Sequence, residues 1–388
     1  MRLAPEFRLF CAALRHACNN PRIPETFSGG PLDWAAIVAG SRRHGVAPLL
    51  LAGLPRVSSP PADVIVDLRR QTLLAAKRSL AQVAEIGRLM PAFAQANIRV
   101  LVLKGVALST QLHADAFPRG ARDIDLLVDP MQFGRIEPVL AAACYRSSFA
   151  TLTSRQRASF RRWIKDIEYF HDPTGAALEV HDRLVDNPYL LHLDFNTLWH
   201  DREEVRIGNV LVPTLSRRTL ALYLCVHGAG HAWERLRWLV DLAALLRGPD
   251  GIDRALADAA AAGLGPAMLH AVMLAQDWLG LAIPSPRLAC AHVNAQVSRL
   301  DLVLRRLYAG SAWHEMPARG SWRGIARYSL WQRLYRLMLR RDWRYRISQI
   351  MHESFSAADF VTVRLPDALF FLYPLVRPVG WLVRRWRQ

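Results

Sequence analysis

Asp123 and Asp125 lie one residue apart in the otherwise apolar segment DIDLLV (123–128). Its apolar and branched residues predict a β-strand, on which residues two apart point to the same face, about 6.6 to 6.8 Å apart at Cα. Two carboxylates so placed repel each other, and burying them unpaired is costly. A divalent cation would resolve the conflict, because Mg²⁺ takes oxygen ligands from one or two carboxylates together with substrate phosphates.

The spacing of the two aspartates has a second interpretation. Arg119 and Arg122 precede them closely in the chain. The carboxylates would then form ion pairs with these arginines at an exposed edge of a sheet. The spacing alone does not decide between the metal site and the ion pairs.

The segment before the aspartates favours the metal site. Residues 98–105, IRVLVLKG, are typical of a buried strand, and they end in Lys104 and Gly105. A glycine between a strand and a helix lets a phosphate approach the backbone N–H groups at the helix N-terminus. Lys104 is also one of only three lysines in the chain.

The segment after the aspartates adds a third carboxylate. On the predicted strand ALEVH (177–181), Glu179 and His181 share one face. A neighbouring antiparallel strand would bring Glu179 beside the aspartates. The order of a strand with Lys-Gly, a helix, a strand with two aspartates and a hairpin with a glutamate is typical of a two-metal phosphoryl-transfer site.

The surrounding patterns predict an α+β unit. Apolar residues at helical spacing predict one or two helices over 62–97, and helices over 106–115 and 130–145, the last beginning at its proline. Residues 166–184 predict a β-hairpin, with Asp-Pro-Thr-Gly (172–175) as its turn.

Helical patterns dominate the rest of the chain. Residues 216–248 and 253–280 each read as long helical stretches. The predicted organisation is a helical segment at 1–64, an α/β domain at 65–187, a helical domain at 188–300 and a basic, aromatic helical region at 301–388.

The chain carries four stretches in this order: LVLKGVAL, PRGARDIDLLVDP, LEVHDRL and CVHGAGHAWERLRWLVDLAALL. Together they resemble the bacterial "uncharacterised nucleotidyltransferase" family of the DNA polymerase beta-like nucleotidyltransferase superfamily. A fainter likeness in VRLPDALFFLYPLVRP extends the resemblance to most of the chain. The resemblance implies a polymerase-beta-like palm, which is a small mixed sheet flanked by helices, with a helical N-terminal segment and a helical C-terminal domain.

The resemblance also assigns roles to the carboxylates. Asp123 and Asp125 correspond to the metal-binding pair, and Glu179 falls where the third carboxylate belongs, so all three are predicted to be catalytic. Glu179 would also help to deprotonate an acceptor hydroxyl.

The nucleotide side departs from the family pattern. Gly105 corresponds to the glycine of the superfamily's Gly-Ser turn, but Val106 stands where Ser or Gly is usual, and the gap to the first aspartate is longer than usual. We expect Lys104 to take over phosphate binding from the missing hydroxyl, together with Gly105 and Arg122. The alternative for Lys104 is a side chain that extends from the strand end into solvent.

The implied activity is Mg²⁺-dependent transfer of a nucleotidyl group from a nucleoside triphosphate, with Mn²⁺ as the alternative cation. The acceptor would be a hydroxyl or phosphate on a glycan, a small peptide or a metabolite. Two other functions stay open: sugar transfer from a nucleotide-sugar at the same metal site, and a catalytically silent protein that binds a nucleotide or a partner. A silent protein would gain nothing from keeping three carboxylates, which argues against it.

A second group of candidate residues lies further along the chain. His227, His231 and Glu234 fall at helical spacing, which predicts one helix face, but HGAGH lacks the HExxH signature of zinc proteases. They either pack against neighbouring tryptophans or face the active site, where one of the histidines or Asp241 would orient the acceptor. His181 is a candidate for an outer residue that supports the metal ligands.

The net charge of +17 is uneven, since residues 301–388 hold sixteen arginines against six acids. Arginine excess either reflects the base composition of the coding DNA or marks a polyanionic partner, with nucleic acid the less favoured one. Residues 369–388 are apolar and aromatic and end in three arginines around a tryptophan. They read either as a packed helix or as a segment resting in a membrane interface. Sparse cysteines and the absence of a signal-peptide pattern favour the cytoplasm, with peripheral contact at the inner membrane face as an option.

Overall fold

The computed structural model describes residues 3–18, 31–112, 123–248, 250–283, 294–309, 313–315, 322–355, 363, 365–373, 375–376 and 380. The chain divides into two compact units. Unit 1 comprises Met1–Val83, Leu108–Ala121 and Ser216–Arg340, and unit 2 comprises Ala84–Ala107, Arg122–Leu215 and Arg341–Gln388.

Within the described residues, seven strands form one mixed sheet in unit 2. They are β1 Val100–Val102, β2 Asp123–Val128, β3 Tyr145–Ser147, β4 Asp166–His171, β5 Ala177–His181, β6 Glu203–Ile207 and β7 Val210–Thr214. Their order across the sheet is β3-β4-β5-β2-β1-β7-β6. The pairs β2–β5 and β1–β7 are parallel, and the other neighbours are antiparallel.

The described helices are α1 Pro5–Ala17, α2 Trp34–His44, α3 Ala47–Val57, α4 Ala62–Gln95, α5 Val106–Leu112, α6 Phe133–Ala142, α7 Ser154–Arg161, α8 Phe195–His200, α9 Arg217–Gly230, α10 Leu236–Leu245, α11 Gly251–Ala261, α12 Gly265–Leu279, α13 Ala295–Leu307, α14 Trp322–Leu337 and α15 Trp343–Glu353. A 3₁₀ helix follows at Asp367–Leu372. The predicted α+β fold, a mixed sheet flanked by helices, is confirmed. In the part of the chain that is described, none of the helices combines the length and apolar character needed to cross a membrane.

The apolar positions of the central strands hold unit 2 together. Ile124 and Leu126 on β2 lie next to Leu178 and Val180 on β5, and all four are almost completely buried. Side chains alternate between the faces of a strand, so the residues between these four point to the opposite face. One face of the sheet is therefore core, and the other is left for polar groups.

The predicted strands over 98–105 and 122–129 and the hairpin over 166–184 are confirmed. Gly175 ends the Asp-Pro-Thr-Gly turn with a φ of 68°, a left-handed conformation that favours glycine. The predicted antiparallel neighbour for the aspartates is wrong, because β5 runs parallel to β2. The tight turn makes β4 the antiparallel partner of β5, and the opposite edge of β5 takes β2.

Three strands were not predicted from the sequence. Strand β3 has only three residues, and β6 and β7 lie beyond residue 187, where the helical patterns begin. Strand β6 alternates charged and apolar residues and is only half-buried, which is typical of a sheet edge.

Helix α6 begins at Phe133 rather than at the predicted Pro130. The Asp129 carboxylate accepts a hydrogen bond from the Met131 N–H at 3.0 Å, and the Asp129 carbonyl accepts one from the Gln132 N–H at 2.8 Å. These bonds form a turn that occupies the first residues of the predicted helix.

Unit 1 is helical, and its long predicted helix over 216–248 is two helices, α9 and α10. Between these two helices, Ala232 and Trp233 have positive φ values of 49° and 53°. The Trp233 N–H donates to the Gly228 carbonyl at 2.8 Å, and the buried indole packs where a Cβ on Gly228 would stand. The break therefore exists because a large aromatic side chain folds back into the core.

Two other helical stretches are also divided. The stretch over 253–280 breaks into α11 and α12 around Gly263, whose φ is 71°. The basic helical region over 301–388 breaks between α14 and α15, where the Asp342 side chain caps α15 by accepting from the Arg344 N–H at 2.9 Å.

The contact between α1 and α3 gives a test of the packing in unit 1. A Cβ added at Gly53 would overlap the backbone carbonyl of Ala13, which cannot move aside as a flexible side chain would. We expect Gly53→Ala to lower the free energy of unfolding by about 1 to 3 kcal/mol or more. Gly230→Ala, at the end of α9 with open space around it, should be neutral or slightly stabilising. Urea unfolding of both variants measures the difference, and equal stability of the two would contradict the close approach of α1 and α3.

Candidate active site

A row of carboxylates crosses the sheet where β2, β5 and β4 pair. Asp125 lies opposite Glu179, and Glu179 lies opposite Glu168 on its other side. Residues directly opposite each other in neighbouring strands point to the same face. Asp123, two residues before Asp125, shares that face. The register therefore gathers the three predicted carboxylates, together with a fourth from β4.

The next row toward the end of β5 contains His181. It lies opposite Leu127 on β2 and opposite Asp166 on β4. The His181 side chain is fully buried. His181 Nε2 stands 3.3 Å from Asp125 Oδ1 and 3.6 Å from Glu179 Oε2. One ligand atom each from Asp125, Glu179 and His181 lies within 4.8 Å of the others.

Lys104 lies against the carboxylate that is most deeply buried. Its Nζ is 2.8 Å from Asp125 Oδ1, and the side chains are 13% and 3% exposed. Burial opposes ionisation of Asp125, but the Lys104 ammonium and the His181 ring hold its pKa well below the usual value. Asp125 is therefore ionised across the neutral range.

Asp123 behaves in the opposite way. Burial, together with the neighbouring charges of Asp125 and Glu179, raises its pKa to about 7 despite the opposing effect of Lys104. The two aspartates thus share one strand face but differ in charge at neutral pH. Asp125 is a carboxylate paired with the Lys104 ammonium, and Asp123 is an acid whose pKa lies close to neutral pH.

The charge of His181 is tied to the same acids. Burial and the nearby Lys165 oppose protonation, yet the adjacent carboxylates of Asp125 and Glu179 raise the His181 pKa above its usual value. The imidazole and the two carboxylates therefore stabilise each other.

Strand β4 adds two acids that were not predicted to belong to the site. Lys165 Nζ lies 2.9 Å from Asp166 Oδ1, and despite burial this ammonium lowers the Asp166 pKa. Glu168 reaches the surface but is partly covered, and this partial burial together with Asp166 and Asp123 raises its pKa. The signal was present in the sequence: Asp166 and Glu168 alternate with apolar residues in the predicted hairpin, so they had to share a face.

The predicted turn after β1 is present. Gly105 has a φ of 67°, and the Leu103 N–H donates to the Asp125 carbonyl at 3.0 Å, which ties the end of the first strand to the aspartate strand. Val106 is buried, as expected for an apolar residue in the position of the usual serine. Arg122 and Arg119 lie outside the described residues.

The second group of predicted residues lies in unit 1. The prediction that His227, His231 and Glu234 share one helix face is wrong, because α9 ends at Gly230 and Glu234 falls in the following turn. The rings of His227 and His231 pack against Trp238, with centroids 4.8 and 5.1 Å away. Packing against a tryptophan is therefore confirmed for both histidines.

The cluster in unit 2 has the composition of a cation site. Two carboxylates in register and a third beside them supply the oxygen ligands that divalent cations prefer. One lysine and one histidine lie within 4 Å of Asp125, while Asp123 is left with excess negative charge around it. A bound cation would supply the missing positive charge.

The different environments of the two aspartates give a second test, in chelator-treated protein. A folded-state pKa raised to about 7 means that ionised Asp123 costs stability as pH rises through 7. We expect Asp123→Asn to be more stable than the wild type at pH 8, by up to about 4 kcal/mol at ~1.4 kcal/mol per pKa unit, and to lose this advantage toward pH 4. Asp125→Asn should be less stable than the wild type by about 1 to 3 kcal/mol, because Lys104 is left without its partner. Urea unfolding at the two pH values measures both, and a change of the same sign in both variants at pH 8 would contradict the assignment.

Comparison with known proteins agrees with this geometry. No curated protein and no solved structure matches the chain. Residues 30–280, more than half of the chain, match a family described as uncharacterised nucleotidyltransferase. This span contains the sheet, the three carboxylates and the Lys-Gly turn. The chain therefore belongs to the uncharacterised nucleotidyltransferase family.

Proposed function

We propose that this protein transfers a nucleotidyl group from a nucleoside triphosphate to an acceptor hydroxyl or phosphate, in a reaction that depends on a divalent cation. The observation that carries the proposal is the register of β2 with β5, which sets Asp125 beside Glu179 with Asp123 on the same face. Membership of a nucleotidyltransferase family supports it.

Asp123, Asp125 and Glu179 would hold the divalent cation, for which the sequence predicts Mg²⁺ or Mn²⁺. When bound, the cation offsets the charge of the triphosphate and of the transition state. The acceptor oxygen bonds to the α-phosphorus as the bond to the bridging oxygen breaks, and pyrophosphate leaves with that electron pair. The acceptor proton passes to Glu179, whose side chain is 24% exposed and so open to the acceptor.

Lys104 and Gly105 would bind the phosphates of the donor. The Lys104 ammonium already lies against Asp125, so its charge stands beside the carboxylates that would hold the cation. Gly105 has no side chain to obstruct the approach of a phosphate to the backbone. Arg122 directly precedes the first aspartate in the chain and would complete the set.

The acceptor side is the less defined part of the proposal. The family resemblance favours a glycan or a small peptide, and we keep His227, His231 and Asp241 as proposed acceptor-side residues. Peripheral membrane contact through residues 369–388 stays a prediction. The exposed side chains of Phe371 and Leu375, 72% and 74% accessible, support it, because exposed apolar groups are typical of interfacial segments.

The function is tested with each α-³²P-labelled nucleoside triphosphate and a panel of acceptors. We expect pyrophosphate release and label transfer that require a divalent cation. Asp125→Asn should abolish both, while Asp172→Asn, which changes an exposed aspartate of the hairpin turn in the same unit, should have wild-type activity. Nucleoside diphosphate release from a nucleotide-sugar would instead identify sugar transfer. Nucleotide binding without turnover across the panel would identify a binding protein.

Lys104 gives a separate test of the nucleotide side. Removing one charge-assisted contact to phosphate should lower kcat/KM by roughly 10- to several-hundred-fold, at ~1.4 kcal/mol per decade. Lys104→Arg should recover only part of the activity, because the planar guanidinium is longer and hydrated differently. Lys77→Ala is the matched control, since it removes another of the three lysines from an exposed position on α4. Wild-type kinetics in Lys104→Ala, in an enzyme that Asp125→Asn inactivates, would show that Lys104 has no role in binding phosphate.

A further inference from the structure

His181 is a fully buried polar ring beside the carboxylates of Asp125 and Glu179. Its side chain is 0% exposed, although a polar ring is buried without cost only when both nitrogens are hydrogen-bonded. Within the described residues, neither ring nitrogen makes a hydrogen bond of normal geometry. Nε2 instead points at two carboxylates, 3.3 Å from Asp125 and 3.6 Å from Glu179.

We propose that His181 binds the metal directly through Nε2, together with the carboxylates of Asp125 and Glu179, and that this nitrogen makes the site prefer a first-row transition cation to Mg²⁺. The three ligand atoms already lie within 4.8 Å of one another, close enough to surround one ion. The inference rests on the proposed function only for the presence of a cation at this centre.

The ligand chemistry sets the preference. Mg²⁺ takes oxygen ligands and gives up its water reluctantly, so an imidazole contributes little to its binding. Imidazole suits first-row transition cations, and affinity at a mixed nitrogen and oxygen site rises from Mn²⁺ through Co²⁺. Adding one imidazole to the carboxylate ligands therefore shifts the preference of the site from Mg²⁺ toward Mn²⁺ or Co²⁺.

The position of His181 in the sheet fixes the ring for this role. The backbone of β5 is paired on both edges, with β2 and with β4, so the Cα of His181 is held by two neighbours. Glu179 precedes it by two residues on the same face. Asp166 lies directly opposite on β4, so its side chain points to the same face of the sheet. Such neighbouring carboxylates are typical around metal-binding histidines.

The decisive experiment is pulsed electron paramagnetic resonance of Mn²⁺ added to the full-length, chelator-treated protein. Bound Mn²⁺ should show modulation from ¹⁴N, and protein grown with ¹⁵N-labelled histidine should show the ¹⁵N pattern instead, without any mutation. The ¹⁴N modulation should be lost in His181→Gln and kept in His171→Ala, a control on β4 whose ring bonds Thr174 at 2.7 Å. Bound Mn²⁺ with no histidine nitrogen signal, or no bound Mn²⁺, would overturn the proposal.

Metal competition supplies the second measurement. We expect the wild type to retain Mn²⁺ against excess Mg²⁺, and His181→Asp, which restores an all-oxygen set, to lose roughly 10- to 100-fold of that preference. An unchanged preference in His181→Asp would count against the proposal. The outcome is separable from the proposed function. A histidine signal without pyrophosphate release would contradict only the proposed transferase activity, and pyrophosphate release without the signal would contradict only direct metal binding by His181.

Discussion

The candidate site depends on one constraint, the parallel register that sets Asp125 of β2 opposite Glu179 of β5. A slip of β2 by one residue would turn Asp125 into the core and expose Ile124 in its place, and a slip of β5 would do the same to Glu179 and Leu178. The register is enforced from the other face, where Leu126 and its neighbours on β5 are almost completely buried. Burial of apolar side chains on one face thus stabilises an arrangement of charges on the other that would not form on its own.

The charges on the polar face are not balanced. Five carboxylates share it: Asp123, Asp125, Asp166, Glu168 and Glu179. Two lysines offset two of them, one at Asp125 and one at Asp166, each 2.8 to 2.9 Å away. The pKa values of Asp123 and Glu168 are raised by burial and by the neighbouring acids. The crowded acids lower the stability of the fold at a place where a bound cation and a substrate would stabilise it, which is a common feature of functional sites.

The sequence predicted what local patterns encode. The aspartate strand, the hairpin with its Asp-Pro-Thr-Gly turn and the helical character of 62–97, for which one or two helices were expected, follow from periodicity and turn residues. What it missed depends on distant contacts. The direction of β5 relative to β2 is set by pairing across more than fifty residues, and the end of α9 is set by Trp233 folding back onto Gly228. Neither of these contacts changes the helical or strand periodicity of the sequence. This is why the prediction that His227, His231 and Glu234 share one helix face was wrong.

The same distinction applies within the site. The carboxylates were found because the family resemblance names their positions, and because two aspartates in an apolar strand are conspicuous. His181 is different: on the sequence it is one polar residue at the end of a strand, and an outer supporting role was a reasonable interpretation. Its full burial and its 3.3 Å distance to Asp125 follow only from the register of three strands. The motif therefore indicates a candidate metal site, whereas the nitrogen that we propose as a further ligand is found only from the fold.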